Sequence, residues 1–327
     1  MNHFLRSLTA TQQVGALFVI VFGLLFIATA ALLTVSLRER AETSDTRREE
    51  LADWWALLKT SWVMVTIFWI GWALGERVAT VLFALVSFFA LREFITLSPT
   101  RRGDHRSLVL AFFVVLPIQF WLVGSEHFDL FTVFIPVYVF LAIPVVSALA
   151  DDPQRFLERN AKLQWGIMVC IYGMSHVPAL LLLSFRNYEG KGAFMVFFLV
   201  FVVQSCMLIQ HLASRRWKRA PSAPNVSRSF NWGTWAIGVV TASVLGGLLS
   251  AITPFKPAQA VAMALIACVA GSMGHLVMKA LKRDRGVTNW GSQGRSITGA
   301  NGLLDRVDAL CFAAPVFFHS ARWYFGA

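Results

Sequence analysis

Charge is what this sequence has least of. Only 14% of its 327 residues are charged, against 57% hydrophobic, and the mean hydropathy is +0.61. A soluble domain of this length needs far more polar surface to cover its core, so that class is excluded. Cysteine is sparse as well. Cys170, Cys206, Cys268 and Cys311 are scattered through apolar stretches without C-x-x-C spacing. That excludes a zinc site or disulfide framework and leaves four small packing residues. Alternation of apolar and polar residues is missing, which excludes a transmembrane β-barrel. No internal repeat is visible, which argues against an inverted-repeat transporter.

What is abundant is continuous apolar sequence. Runs near the ~20 residues that cross a bilayer fall at 14–37, 56–75, 78–97, 107–124, 128–150, 166–185, 193–213, 234–252, 258–278 and, shorter, 308–321. The expected fold is an all-α polytopic transmembrane helical bundle of about nine to ten helices. The first run is too long for a signal-peptide core and no cleavage site follows it, so it reads as an anchor. The expected divisions are an anchor and mixed-charge linker over 1–53, membrane helices over 54–213, and a C-terminal membrane region over 214–327.

The net charge of +11 has a topological reading that displaces nucleic-acid binding. Basic residues gather in alternate loops: Arg38, Arg40, Arg47 and Arg48; Arg101, Arg102 and Arg106; Arg155, Arg159 and Lys162; Arg215, Arg216, Lys218, Arg219 and Arg228; and Lys279 through Arg306. The intervening loops hold little beyond Arg77, Arg186, Lys191 and Lys256. The positive-inside rule then places the basic loops in the cytoplasm of a bacterial-type inner membrane, with the N-terminus outside.

The stretch 282–308 carries the densest chemistry. It runs Lys282-Arg283-Asp284-Arg285-Gly286, then Gly291, Gly294, Gly299 and Gly302, then Asp305-Arg306-Val307-Asp308. Cations and glycines suit phosphate, and carboxylates suit a divalent metal. The plain alternative is a helix end with snorkelling cations and a loose loop.

This stretch resembles the C-terminal signature of the phosphatidate cytidylyltransferases, or CDP-diacylglycerol synthases. Lys282-Arg283 match that family's K-R, Gly302 the last glycine of its H-G-G, and Asp305-Arg306 with Asp308 its D-R-x-D. Upstream, Pro224-Asn225-Val226-Ser227 and Trp232 resemble its P-x-x-S-P-N-K-T-W-E-G loop, and Leu91-Arg92-Glu93-Phe94 echoes a weaker feature. Departures are extensive. The K-D pair falls on Thr288 and Asn289, H-G-G on Ala300-Asn301-Gly302, and P-N-K-T on Arg228-Ser229-Phe230-Asn231. The serine before K-R is Lys279, and an acidic position before it is His275.

The resemblance implies catalytic Asp305 and Asp308, substrate contacts at Lys282, Arg283, Arg306, Asn225, Ser227 and Lys279, and Mg²⁺ held by Asp305 and Asp284. It implies CTP and phosphatidate as substrates, CDP-diacylglycerol and pyrophosphate as products, and a homodimer with a lipid-accessible cavity. Because most signature polar positions are replaced, two readings stand together. One is the family reaction on a depleted catalytic set. The other is a silent relative that binds anionic lipid or serves as a regulatory membrane subunit.

Three further features carry paired readings. His275 and Lys279 share a helix face, as a new phosphate site or as a helix-end group and an interfacial anchor. His176 lies two residues before Pro178, whose missing N–H frees a carbonyl for it to meet. Arg92-Glu93 lies a turn from the basic end, as a functional pair or as snorkelling side chains.

Overall fold

The computed structural model describes residues 9–38, 45–98, 100–183, 192–217, 219–287, 290 and 302–325. Among them no strand occurs, and the chain is a set of long helices. These are α1 (Ala10–Arg38), α2 (Asp45–Ala73), α3 (Glu76–Thr96), α4 (Arg102–Gly124), α5 (Phe128–Ala148), α6 (Phe156–Leu182), α7 (Gly192–Arg216), α8 (Trp232–Ile252), α9 (Pro257–Asp284) and α10 (Leu303–Phe325). Eight of the described helices are long and apolar enough to cross a membrane. The all-α polytopic bundle expected from the apolar runs is therefore the observed fold.

The two weakest runs differ from the rest. All but the last two residues of the run 56–75 belong to α2, whose apolar part is only Ser61–Ala73. The short run at 308–321 is the middle of α10, which is not one of the eight. Charged residues at both ends of α10 dilute its apolar character, and its Ala309, Leu310, Ala313, Ala314 and Phe317 are buried in protein. It is a core helix of the bundle.

The chain divides into two compact units at Ala79. In the first, α1 and α2 form a hairpin zipped by aromatic rings. Phe18 packs at a tilt against Trp72 and Phe22 against Trp62, and Phe26 meets Trp62 edge-on at 4.9 Å. The Trp62 indole donates to Thr29 Oγ1 at 3.0 Å, which satisfies its one polar atom.

In the second unit the core lies between α6, α7, α9 and α10. Small residues let these helices approach closely. A Cβ on Gly274 of α9 would lie 2.2 Å from Phe312 Cγ, and one on Gly173 of α6 2.2 Å from the Cys311 carbonyl oxygen. Along α4, α5 and α6 the backbone widens into π-helical turns at Ala111–Val115, Phe134–Val139 and Ile167–Gly173.

Alternate loops of this unit meet at one end. Buried Arg159 donates to Asp104 at 2.7 Å, to the Asp152 and Gln154 carbonyls at 3.0 and 2.8 Å, and pairs with the Asp152 carboxylate. Arg101 reaches Gln154 at 2.7 Å. The first turn of α4 and the loop before α6 are thus tied by one guanidinium that uses several of its donors. At the opposite end Arg322 bonds Asp129 at 2.5 Å, and Gln259 bonds Tyr324 at 2.6 Å.

Candidate functional site at the basic-loop end

Helix α9 brings three polar side chains to one face, since His275, Lys279 and Lys282 are spaced four and three residues apart. Helix α10 answers with Asp305 and Asp308, one turn apart. The two helices meet as a seam. Lys282 Nζ bonds Asp305 Oδ1 at 2.5 Å, and His275 Nδ1 lies 2.7 Å from Asp308 Oδ2. Lys282 and Asp308 are buried, and Asp305 and His275 are half-buried. The second oxygen of each acid is also engaged: Asp305 Oδ2 accepts from the Trp290 amide at 2.8 Å, and Asp308 Oδ1 from the Ala309 amide at 2.6 Å.

Local backbone chemistry sets this register. Helix α9 stops because Gly286 takes the left-handed conformation at φ +67, while the Val287 amide bonds the Lys282 carbonyl at 3.0 Å. Helix α10 starts after Gly302, at φ +76, a region that disfavours any side chain. Its first amides have no partners within the helix. Glu93 of α3 supplies them. Its two carboxylate oxygens accept from the Gly302 and Leu304 amides at 2.6 and 2.7 Å. Glu93 is thus the anionic cap of the helix that carries both aspartates.

The sequence-predicted residues separate into groups. Lys282, Asp305 and Asp308 come together with His275, and Lys279 shares their face. Arg306 is half-buried on α10, whereas Arg283 and Asp284 are exposed at the end of α9, where Asp284 pairs with Arg285 at 3.0 Å. Among the described residues no group of three or more His, Cys, Asp or Glu is gathered as a metal would need. Thr288, Asn289, Gly291, Gly294, Gly299, Ala300 and Asn301 lie outside the described residues.

The 220–232 loop is closed on itself. The Ser222 amide bonds the Phe230 carbonyl at 2.8 Å, and Asn231 Nδ2 bonds the Ala220 carbonyl at 2.8 Å. Asn231 then caps α8 by accepting from the Gly233 and Thr234 amides. Ser227 is buried, with its hydroxyl 3.3 Å from that of Ser229, and Asn225 is exposed. Neither lines the cavity beside the loop. That cavity, about 350 Å³, is lined instead by His211, Ser214, Arg215, Arg219, Arg228, Ser229, Asn231 and Thr234. The sequence marks 214–233 as a cation-rich loop suited to phosphate but does not single out these arginines; the four-residue spacing of His211, Arg215 and Arg219 was the unused signal. The loop and the seam are neighbours, because the Trp235 indole of α8 donates to Ser272 of α9 at 2.8 Å, one turn before His275.

His176 meets a different carbonyl from the one Pro178 frees. Its Nδ1 donates to Tyr172 O at 2.7 Å, at the end of a π-helical turn. The ring is fully buried against Phe131, Tyr172 and Phe318. The π turn, not the proline, presents the acceptor.

A helical membrane protein with a charged seam at the mouth of its last two helices is the class these observations define. The Cytidylyltransferase family model matches residues 55–324, and the chain belongs to that family. It is 33% identical over 308 residues to the uncharacterized protein YnbB of Escherichia coli (strain K12), covering 92% of this chain and 96% of that one. It is 32% identical over 142 residues to a phosphatidate cytidylyltransferase of Brucella abortus, and 25% identical over 145 residues to one of Rickettsia felis. Those matches cover 43% and 42% of this chain, and 51% and 63% of the two enzymes.

Proposed function

We propose that this protein transfers the cytidylyl group of CTP to a phosphate-bearing membrane lipid of the phosphatidate class, releasing pyrophosphate. The observation that carries the reading is the seam, where two carboxylates one turn apart each face a nitrogen base from the adjacent helix. In this reaction a lipid phosphate oxygen bonds to the α-phosphorus of CTP, and the bond to the β-phosphate oxygen breaks. Such a transfer asks the protein for positioning and charge, with little covalent chemistry. Lys282, Lys279, Arg283 and Arg306 supply positive charge, and Asp305 and Asp308 hold Lys282 and His275 in place. The orientation that serves it puts the basic loops in the cytoplasm of the inner membrane, where CTP is found.

Mg²⁺ at Asp305 and Asp284 fits the described donors poorly. Asp305 has an ammonium group and an amide on its two oxygens, and Asp284 is exposed and paired with Arg285. No step is assigned to the metal. The same observation favours a second reading, a relative that binds anionic lipid without turnover.

Pyrophosphate release by the purified full chain, with CTP, phosphatidate and a panel of divalent metals, decides between them. The transfer reading expects release that Asp305→Ala abolishes. Release no faster than a protein-free control under every metal and lipid tried would leave the silent reading standing.

A further inference from the structure

The cavity between the end of α7 and the start of α8 is lined by none of the residues that the resemblance names as substrate contacts, although Arg228, Ser229 and Asn231 stand where its loop carries other residues. Three arginines line it from separate places: Arg215 on the last turn of α7, Arg219 just beyond it, and Arg228 on the following loop. His211, one turn before Arg215, and the hydroxyl-bearing Ser214 and Ser229 complete the wall. No acidic side chain is among the lining residues. Like charges gathered around one concavity raise its potential and draw in an anion.

Two details show how the site is built. Residue 233 is a glycine, and a Cβ there would lie 2.6 Å from a guanidinium nitrogen of Arg219. The missing side chain is the space Arg219 occupies. The first amides of α8, at Gly233 and Thr234, are already held by Asn231 Oδ1 at 2.9 and 3.4 Å. Recognition therefore falls to the guanidiniums, whose planar forks match phosphate oxygens. The lysine of the resembled loop falls on Phe230, which is buried here, while arginine appears two residues earlier at 228. Positive charge lost from one position of the loop is present at others around the same hollow.

We propose that Arg215, Arg219 and Arg228 seat a phosphate group of the substrate in this cavity, either the polyphosphate tail of a nucleotide or the phosphomonoester of a lipid headgroup. The cavity volume suits a small ligand, and the Trp235–Ser272 bond sets it beside the seam. The proposal deepens the transfer reading and rests on it only for the nucleotide's identity.

The test measures binding by the full chain in metal-free buffer, first of pyrophosphate and then of nanodiscs containing phosphatidate or phosphatidylcholine. Arg219→Gln and Arg228→Gln should each weaken phosphate binding about tenfold or more, the loss of a charge-assisted contact. Arg216→Gln, a neighbour that does not line the cavity, should bind as the parent does and controls for folding. Selective loss of pyrophosphate binding assigns the nucleotide tail; selective loss of phosphatidate capture assigns the headgroup. Binding of both probes by the cavity variants at parental strength, or no binding of either by the parent, overturns the proposal. Asp305→Asn separates it from the transfer reading, because that variant should lose turnover and keep phosphate binding.

Discussion

Replacing Glu93 by alanine removes both acceptors from the start of α10. The parent makes two short bonds, 2.6 Å to the Gly302 amide and 2.7 Å to the Leu304 amide, from one carboxylate to otherwise orphaned donors. A capping side chain contributes about 0.5–2 kcal/mol, and hydrogen bonds to charged groups about 1.5–3 kcal/mol each. The bonds share one carboxylate and water can reach part of the site, so a total of about 2–4 kcal/mol is expected. If that loss is local, amides at 302–306 should exchange with solvent roughly 30- to 700-fold faster. The assay is hydrogen–deuterium exchange by mass spectrometry on detergent-solubilised protein, with a peptide covering α9 as internal reference. Glu93→Gln keeps one acceptor oxygen and should fall between. Unchanged exchange at 302–306 in Glu93→Ala would refute the reasoning, because it would mean that α10 holds its first turn without the cap.

Four other outcomes follow from the geometry. Arg159→Ala leaves the buried Asp104 carboxylate with the Arg101 amide but without its charged partner and should cost about 3–5 kcal/mol, read as a large drop in thermal unfolding temperature. Gly302→Ala forces a side chain into the left-handed region, costs about 1–2 kcal/mol, and should lower pyrophosphate release in proportion to the misplacement of Asp305. Gly274→Ala drives a methyl into Phe312 and should destabilise by about 1–3 kcal/mol, with Phe312→Ala restoring part of the loss in a double-mutant cycle. Lys282→Met should lower turnover by tenfold or more while exposing Asp305 to added Mg²⁺, measured as a new metal dependence of unfolding temperature.

Much of the fold could be read from the chain because membrane spans are a local property. Eighteen apolar residues in a row announce a helix without reference to anything else. The seam was legible in half. Lys282, Asp305 and Asp308 drew attention by residue type and spacing, yet their pairings were not visible. Asp308 meets His275, not a metal partner, because α9 and α10 run side by side at a distance set by Gly274 and Phe312. Glu93 was hidden for a different reason. Its partners are backbone amides more than two hundred positions away, and amides leave no trace in residue identity. The arginine cavity was legible only as a cation-rich loop: residue type gives the sign of those charges and says nothing of which of them share a hollow.

The grip of α3 on α10 also orders events during synthesis. Glu93 is made first, and the two amides it holds follow more than two hundred residues later. Until then an acid waits at the mouth of the bundle with its cap partners unmade, and the seam has only one wall. The seam therefore cannot close before α10 docks against α3 and α9. A chain cut short before Gly302 would carry all eight long apolar helices and the arginine cavity, and lack both aspartates of the seam.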